Sequence, residues 1–142
     1  MKTYVVDNSV ILKSIIREDG SELVRKLMVL KEQFKIAILV PDLFRYEFFN
    51  IIIKGMPSKM AMKVFDTFMS RQVSVVPLEG DLIELANRLV EKYPRISFYD
   101  ATYHALAKAY NVDFITADKK YYSMTKNEGH VKLLTDIKLF GC

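Results

Sequence analysis

The run Ile36-Ala37-Ile38-Leu39-Val40, closed by Pro41-Asp42, decides the fold class. Five consecutive apolar residues without polar alternation read as a strand buried on both faces, the kind found in parallel sheets covered by helices on each side. Pro41 ends the strand, and Asp42 is placed to cap a helix that runs to about Lys54 and stops at Gly55.

Upstream, Thr3 to Val6 is a short β-branched and aromatic strand stopped by Asp7-Asn8-Ser9, after which Val10, Ile11, Ile15 and Ile16 recur at helical spacing. Asp19-Gly20-Ser21-Glu22 is a turn with capping potential ahead of an amphipathic helix carrying Leu23, Leu27, Leu30 and Phe34. Downstream, a helix from Ser58 to about Ser70 has Met60, Val64, Phe65 and Phe68 on its apolar side, and Val73 to Val76 is the next strand. Asp81 caps a helix to about Tyr93, Ser97 opens another to about Tyr110, and the strand Asp113 to Thr116 precedes a short helix after Asp118. Val131 to Leu134 completes the set as an edge strand. Strands alternating with helices of this length require crossover connections, so the fold class is α/β, three-layered, around a mostly parallel sheet.

A length of 142 residues fits one domain, able to bury a core without disulfides or a structural metal. Cys142 is the only cysteine, which excludes an internal disulfide and a cysteine-based zinc site and suits a reducing cytoplasm. The N-terminus reaches Asp7 too soon for a signal peptide, and the longest apolar runs, Ile36 to Val40 and Ile51 to Ile53, are far short of a membrane span. A soluble cytoplasmic protein is expected. Lys plus Arg outnumber Asp plus Glu by 21 to 17, a mild bias toward a polyanionic partner. There is no repeat, low-complexity stretch or linker.

In open α/β sheets the ligand site lies beyond the carboxyl ends of the strands, where strand order reverses. Asp7 directly follows the first strand and Asp118 follows the strand Asp113 to Thr116, so both belong to that rim. Glu47 shares a helical stripe with Leu43, Asn50 and Lys54, beside an apolar face of Phe44, Phe48, Ile51 and Ile52. Asp100 lies in the first turn of its helix. Each acid also has an ordinary reading: Asp7 as a turn residue or cap, Glu47 as a solvated helix residue, Asp118 as a cap, and Asp100 as part of the capping box Ser97-x-x-Asp100. These readings do not explain why acids collect at two strand ends and two helix faces that share one rim.

Two unit charges ~4 Å apart repel by about 4 kcal/mol at an effective dielectric near 20, so four gathered carboxylates need retained protons or a counter-ion. An all-oxygen set without Cys or a well-placed His favours Mg2+ or Mn2+ over zinc. Such a cation can bind a phosphodiester oxygen and lower the pKa of a bound water.

At this point the residues resemble a PIN domain, the nuclease fold of many toxins in toxin-antitoxin pairs, in particular the VapC-type toxins. Tyr4-Val5-Val6-Asp7-Asn8-Ser9-Val10 resembles the family's first motif, and Pro41-Asp42-Leu43-Phe44-Arg45-Tyr46-Glu47-Phe48-Phe49-Asn50 the second. Tyr99-Asp100-Ala101-Thr102-Tyr103-His104-Ala105-Leu106-Ala107 and Phe114-Ile115-Thr116-Ala117-Asp118-Lys119-Lys120 resemble the third and fourth in content and separation. The resemblance spans nearly the whole chain. It implies about five parallel strands, endoribonuclease activity dependent on Mg2+ or Mn2+, frequent homodimers and, in the toxin branch, a cognate antitoxin. It assigns Asp7, Glu47, Asp100 and Asp118 to the acidic site and gives Ser9, Asn50 and Thr116 orienting roles. Asn8 departs from the family's usual small residue or Thr.

His104, one turn after Asp100, is read as a packed helix histidine rather than a ligand or base. Lys13, Arg45, Lys54, Lys59, Arg95, Lys119 and Lys120 flank the motifs as candidate contacts to an RNA backbone, with Tyr99 and Tyr103 as candidate stacking surfaces. Their alternative is a solvated basic face plus core tyrosines. The Met- and Phe-rich stretch from Phe44 to Met69 is mostly core, and its excess of soft apolar side chains marks a dimer or antitoxin groove.

Two rival functions stand beside the nuclease. A receiver-like or dehalogenase-like phosphate binder would need a Gly-rich loop or an Asp-x-Asp after the first strand, and neither is present among five glycines. A domain of the same fold that only binds RNA or a partner is left open by the sequence.

Overall fold

The computed structural model describes residues 1–14 and 19–137. Five strands form one sheet: β1 (Lys2–Val6), β2 (Ile36–Pro41), β3 (Ser74–Val76), β4 (Asp113–Thr116) and β5 (Val131–Leu133). Their order is β3-β2-β1-β4-β5 and every neighbouring pair is parallel, with Val5 beside Leu39 on one flank and Phe114 on the other. The chain steps from β1 outward through β2 to β3, then returns past β1 to β4. Strand order therefore reverses between β1 and β4.

The helices are α1 (Asn8–Ile11), α2 (Ser21–Glu32), α3 (Leu43–Gly55), α4 (Ser58–Thr67), α5 (Gly80–Lys92), α6 (Phe98–Tyr110) and α7 (Lys119–Thr125). α6 packs across β1, β2 and β4, whereas α2 and α3 lie against β2. Because the crossovers change direction at β1, right-handed connections put α2 to α4 on one face and α5 to α7 on the other. β1 and β2, covered on both faces, bury Val5, Val6, Ile36, Ile38 and Val40, which is why they are apolar nearly throughout. Phe44 and Phe48 stack at 5.4 Å between ring centroids under α3, and Phe114 packs against Tyr103 and Tyr121 under α6. No helix among the described residues is long and apolar enough to cross a membrane.

His104 is fully buried. Its Nε2 lies 2.7 Å from the Gly129 carbonyl, which only accepts, so Nε2 carries the proton and Nδ1 accepts from the Tyr121 hydroxyl at 2.8 Å. Burial holds its pKa below the usual histidine range, and the neutral ring ties α6 to α7.

Several local expectations are corrected. Asp42 and Asp81 make no capping hydrogen bond: Asp42 has helical backbone angles, and α5 starts one residue early at Gly80, leaving Asp81 inside its first turn. α4 ends at Thr67 and passes into a π-helical turn, Phe68–Gln72. Met60 and Ile51 face outward, while Ala61 and Ile52 take the buried positions. Phe34 is not on the apolar face of α2. It follows the C-cap Gln33 with φ 57°, donating its N–H to the Lys31 carbonyl while the Lys35 N–H reaches the Leu30 carbonyl, and it is 82% exposed. This is a Schellman ending with phenylalanine in the left-handed position that glycine usually fills, at a cost of roughly 1–2 kcal/mol. Ile15, Ile16 and Cys142 lie outside the described residues.

Candidate active site

The reversal point between β1 and β4 places Asp7 and Asp118 on facing loops. Both act as helix caps: Asp7 Oδ1 accepts from the Val10 N–H at 3.1 Å, and Asp118 Oδ1 from the Tyr121 N–H at 3.0 Å. Capping occupies one oxygen of each carboxylate and leaves the other for the cleft, so the ordinary and the functional readings hold together. Asp100 stands in the first turn of α6, whose start is capped by the Ser97 hydroxyl accepting from the Asp100 N–H at 3.0 Å. Glu47 comes from the middle of α3.

These four acids, with Asn8, Ser9 and Tyr103, line one cleft of about 230 Å³. Among the described residues, no Lys, Arg or His shares the lining. Burial pushes the Asp7 carboxyl up to about 6; the Ser9 hydroxyl at 2.6 Å and the Val10 N–H oppose the rise, and the charges of Asp100 and Glu47 add to it. Burial also raises Glu47 and Asp100. The Tyr103 and Asn8 hydrogen bonds oppose it for Glu47, the Ser97 hydroxyl opposes it for Asp100, and neighbouring acids reinforce it in both.

Of the polar residues expected to orient the acids, Ser9 donates to Asp7, and Thr116 stands 3.5 Å from Asp7 Oδ2 while its Oγ1 accepts from the Asp118 N–H at 3.0 Å. Asn50 is exposed and outside the cleft lining. Its expected place beside Glu47 is taken by two residues that sequence reasoning did not assign this role. The Tyr103 hydroxyl donates to Glu47 Oε1 at 2.9 Å, and Asn8 Nδ2 lies 3.4 Å from the same oxygen. Tyr103 is 2% exposed, so it cannot stack on a base; its phenol faces the acid instead. The one sequence signal was Asn8 itself, the position that departs from the family's habit.

Among the candidate RNA contacts, Tyr99, Lys54, Lys59, Arg95, Lys119 and Lys120 are exposed. Lys13 and Lys119 line a neighbouring cleft with Asp19 and Ala117, and Arg45 lies over the Tyr46 ring at 5.4 Å. A further acid, Glu128, was not singled out in the sequence. It binds Lys108, Lys92 and the Tyr93 hydroxyl, which together hold its pKa near 2 despite burial, and it serves as a tie between α5 and α6.

The cleft suits a hard divalent cation by its chemistry. The donors are all oxygen, burial and the neighbouring acids raise the Asp7 carboxyl to about 6, and Asn8 Oδ1 is buried with no hydrogen-bond partner. As the side chains stand, no three acids, histidines or cysteines among the described residues close around one point at metal-ligand distance.

An open parallel α/β sheet defines a class of domain whose ligands bind beyond the strand ends at the reversal point, where these carboxylates gather. The family model "PIN domain" matches residues 4–127, and the chain belongs to the PIN domain family, a family of nucleases that generally use divalent metals. Comparison with curated proteins found no sequence match. Among solved structures, the chain is similar to VapBC2 from Rickettsia felis bound to a DNA fragment from their promoter, with TM-score 0.71 and 14% identity over 92% of this chain and 98% of that one. It is also similar to VapC20 of Mycobacterium tuberculosis, a toxin that cleaves the sarcin-ricin loop: TM-score 0.67, 16% identity, 84% and 93% coverage. A third is VapBC-5 of Mycobacterium tuberculosis, a member of the VapBC family of toxin-antitoxin systems: TM-score 0.60, 14% identity, 94% and 98% coverage. At these identities the likeness is one of fold.

Tyr103→Phe removes one hydroxyl and leaves the ring packing with Phe114 in place. Loss of an outer partner of a metal-binding carboxylate typically costs about 10–100-fold in affinity or activity. Calorimetric Mn2+ titration of this variant should show weakening in that range, with its melting temperature little changed.

Proposed function

We propose that this chain is a Mg2+- or Mn2+-dependent endoribonuclease, the toxin of a toxin-antitoxin pair, acting in the cytoplasm as one PIN-like nuclease domain. The observation that carries this reading is that acids from four segments far apart in sequence, Asp7, Glu47, Asp100 and Asp118, line one cleft at the sheet's reversal point.

In this reading the four carboxylates hold the cation. Bound there, it would neutralise phosphate charge, lower the pKa of a water and stabilise the departing oxygen. Ser9 and Thr116 orient Asp7, while Tyr103 and Asn8 fix Oε1 of Glu47 and leave Oε2 without either bond. The raised Asp7 carboxyl accepts a proton more readily than an ordinary aspartate, so protons compete with a cation for it as pH falls through about 6. Lys13, Lys119 and Lys120, together with Lys54, Arg45 and Tyr99, supply candidate contacts to the RNA strand beyond the acids.

A homodimer and a cognate antitoxin complete the proposal. Exposed Ile51, Ile53, Met60 and Met62 on α3 and α4 support an apolar partner surface within the stretch Phe44 to Met69. The test is cleavage of RNA by the purified protein with Mg2+ or Mn2+, with and without EDTA, beside Asp100→Asn. Cleavage should require the metal and fail in the variant. Metal-independent cleavage that survives the substitution would overturn the mechanism, and binding without cleavage would leave a PIN-like binding domain.

A further inference from the structure

Phe34 stands at the end of the sheet opposite the acids. It lies two residues before the start of β2, and Glu47 lies beyond the far end of that strand, roughly 20 Å away at about 3.3 Å per residue. Its left-handed backbone, which burial does not repay, places a phenyl ring in solvent, and strained residues of this kind persist where a function holds them. The ring forms the wall between two shallow clefts. One, of about 550 Å³, is lined by Met1, Lys2 and Lys35; the other, of about 470 Å³, by Lys31, Glu32, Ser70, Arg71 and Gln72.

Three features give these clefts a chemistry. Lys2, Lys31, Lys35 and Arg71 surround the ring against a single acid, Glu32, and among the described residues none of the four forms a salt bridge. Gln72 lines the second cleft and donates its Nε2 to Glu32 at 3.1 Å, which holds that acid beside the ring. Ser70, Arg71 and Gln72 belong to the π-helical turn Phe68–Gln72, a backbone irregularity that recurs at functional sites. A ligand with π-faces and negative charges suits the exposed ring and the cations around it, which describes single-stranded RNA.

We propose that Phe34 is a stacking platform for an unpaired base and that the basic clefts on its two sides hold the adjoining phosphates, forming a second RNA-binding site remote from the acids. The proposal rests on the reading that the chain acts on RNA.

The test measures binding of a labelled, unstructured RNA of about a dozen nucleotides by fluorescence anisotropy in EDTA, where no cleavage intervenes. Phe34→Gly should weaken binding roughly 5- to 100-fold, the range for losing one aromatic–base stack. Its melting temperature should be unchanged or raised by up to about 4 °C, since glycine takes the left-handed turn without strain. Phe34→Tyr should retain binding, and Lys35→Glu and Arg71→Glu should each flatten the salt dependence by about 0.7 in log-log slope. Unchanged affinity in Phe34→Gly overturns the proposal, as does equal weakening toward a duplex of the same sequence. Conversion of a dimer to a monomer by Phe34→Gly, seen by sedimentation, would make Phe34 a self-association contact and also overturn it. Metal-dependent cleavage by the wild type, assayed separately, decides the nuclease reading whichever way Phe34 falls.

Discussion

Asp7→Asn should abolish RNA cleavage and, at the same time, make the metal-free protein more stable at neutral pH. The carboxyl is raised to about 6 in the folded chain, against about 3.9 for an unfolded aspartate, so the native state binds this proton more tightly than the unfolded state does. Its favourable contribution is complete below the unfolded value and is lost as pH rises through about 6; above that the ionised, buried group opposes folding. Asparagine carries no such charge and still accepts from the Val10 N–H as a cap. The expected gain at pH 7.5 is about 1–3 kcal/mol, or roughly 3–10 °C in melting temperature for a chain this size, shrinking to nothing by about pH 4. Cleavage should fall by more than about a thousandfold, since several kcal/mol of charge stabilisation leave with the cation. Thermal melts across pH 4–8 beside a cleavage assay check both halves. A variant less stable than wild type at pH 7.5 would mean that Asp7 is ionised and already satisfied within the fold.

The second large effect is stabilisation by the cation. A ligand at about a hundred times its dissociation constant adds about 2.7 kcal/mol to a native state that alone binds it, roughly 10 °C here. Mn2+ or Mg2+ should raise the wild-type melting temperature by that order at pH 7.5, and the increment should fade as pH falls through about 6, where protons compete for Asp7. Asp7→Asn should lose the increment at every pH. Equal melting temperatures with Mg2+, Mn2+ and EDTA would show that the acids do not form a metal site.

The features legible in the sequence were those governed by one strand or one helix at a time. Ile36 to Val40 announced a doubly covered strand because burial on both faces leaves no polar position. Asp7 and Asp118 stood out because they follow two strands that share one rim, although capping, which both perform, would also place an acid there. Ser97 was read correctly as a cap for the same local reason. What escaped depends on long-range pairing. The bond from Tyr103 to Glu47 joins residues 56 apart, and Glu128 collects donors from Lys92, Tyr93 and Lys108, which no periodicity can foretell. Asn50 was favoured over Asn8 because it shares a helical stripe with Glu47, yet the asparagine that reaches the acid comes from the neighbouring loop. Phe34 continued the stripe of Leu23, Leu27 and Leu30 in spacing, and without a glycine nothing in the sequence marked the point where the helix stops.

A crystal of the wild-type protein soaked in Mn2+, with anomalous scattering recorded, tests the acid cluster most directly. The expected result is a manganese peak in the cleft, bonded to carboxylate oxygens of Asp7 and at least one of Glu47, Asp100 and Asp118, and absent in an Asp7→Asn crystal. A cleft free of manganese at saturating Mn2+, or a peak that persists unchanged without the Asp7 carboxylate, would contradict it.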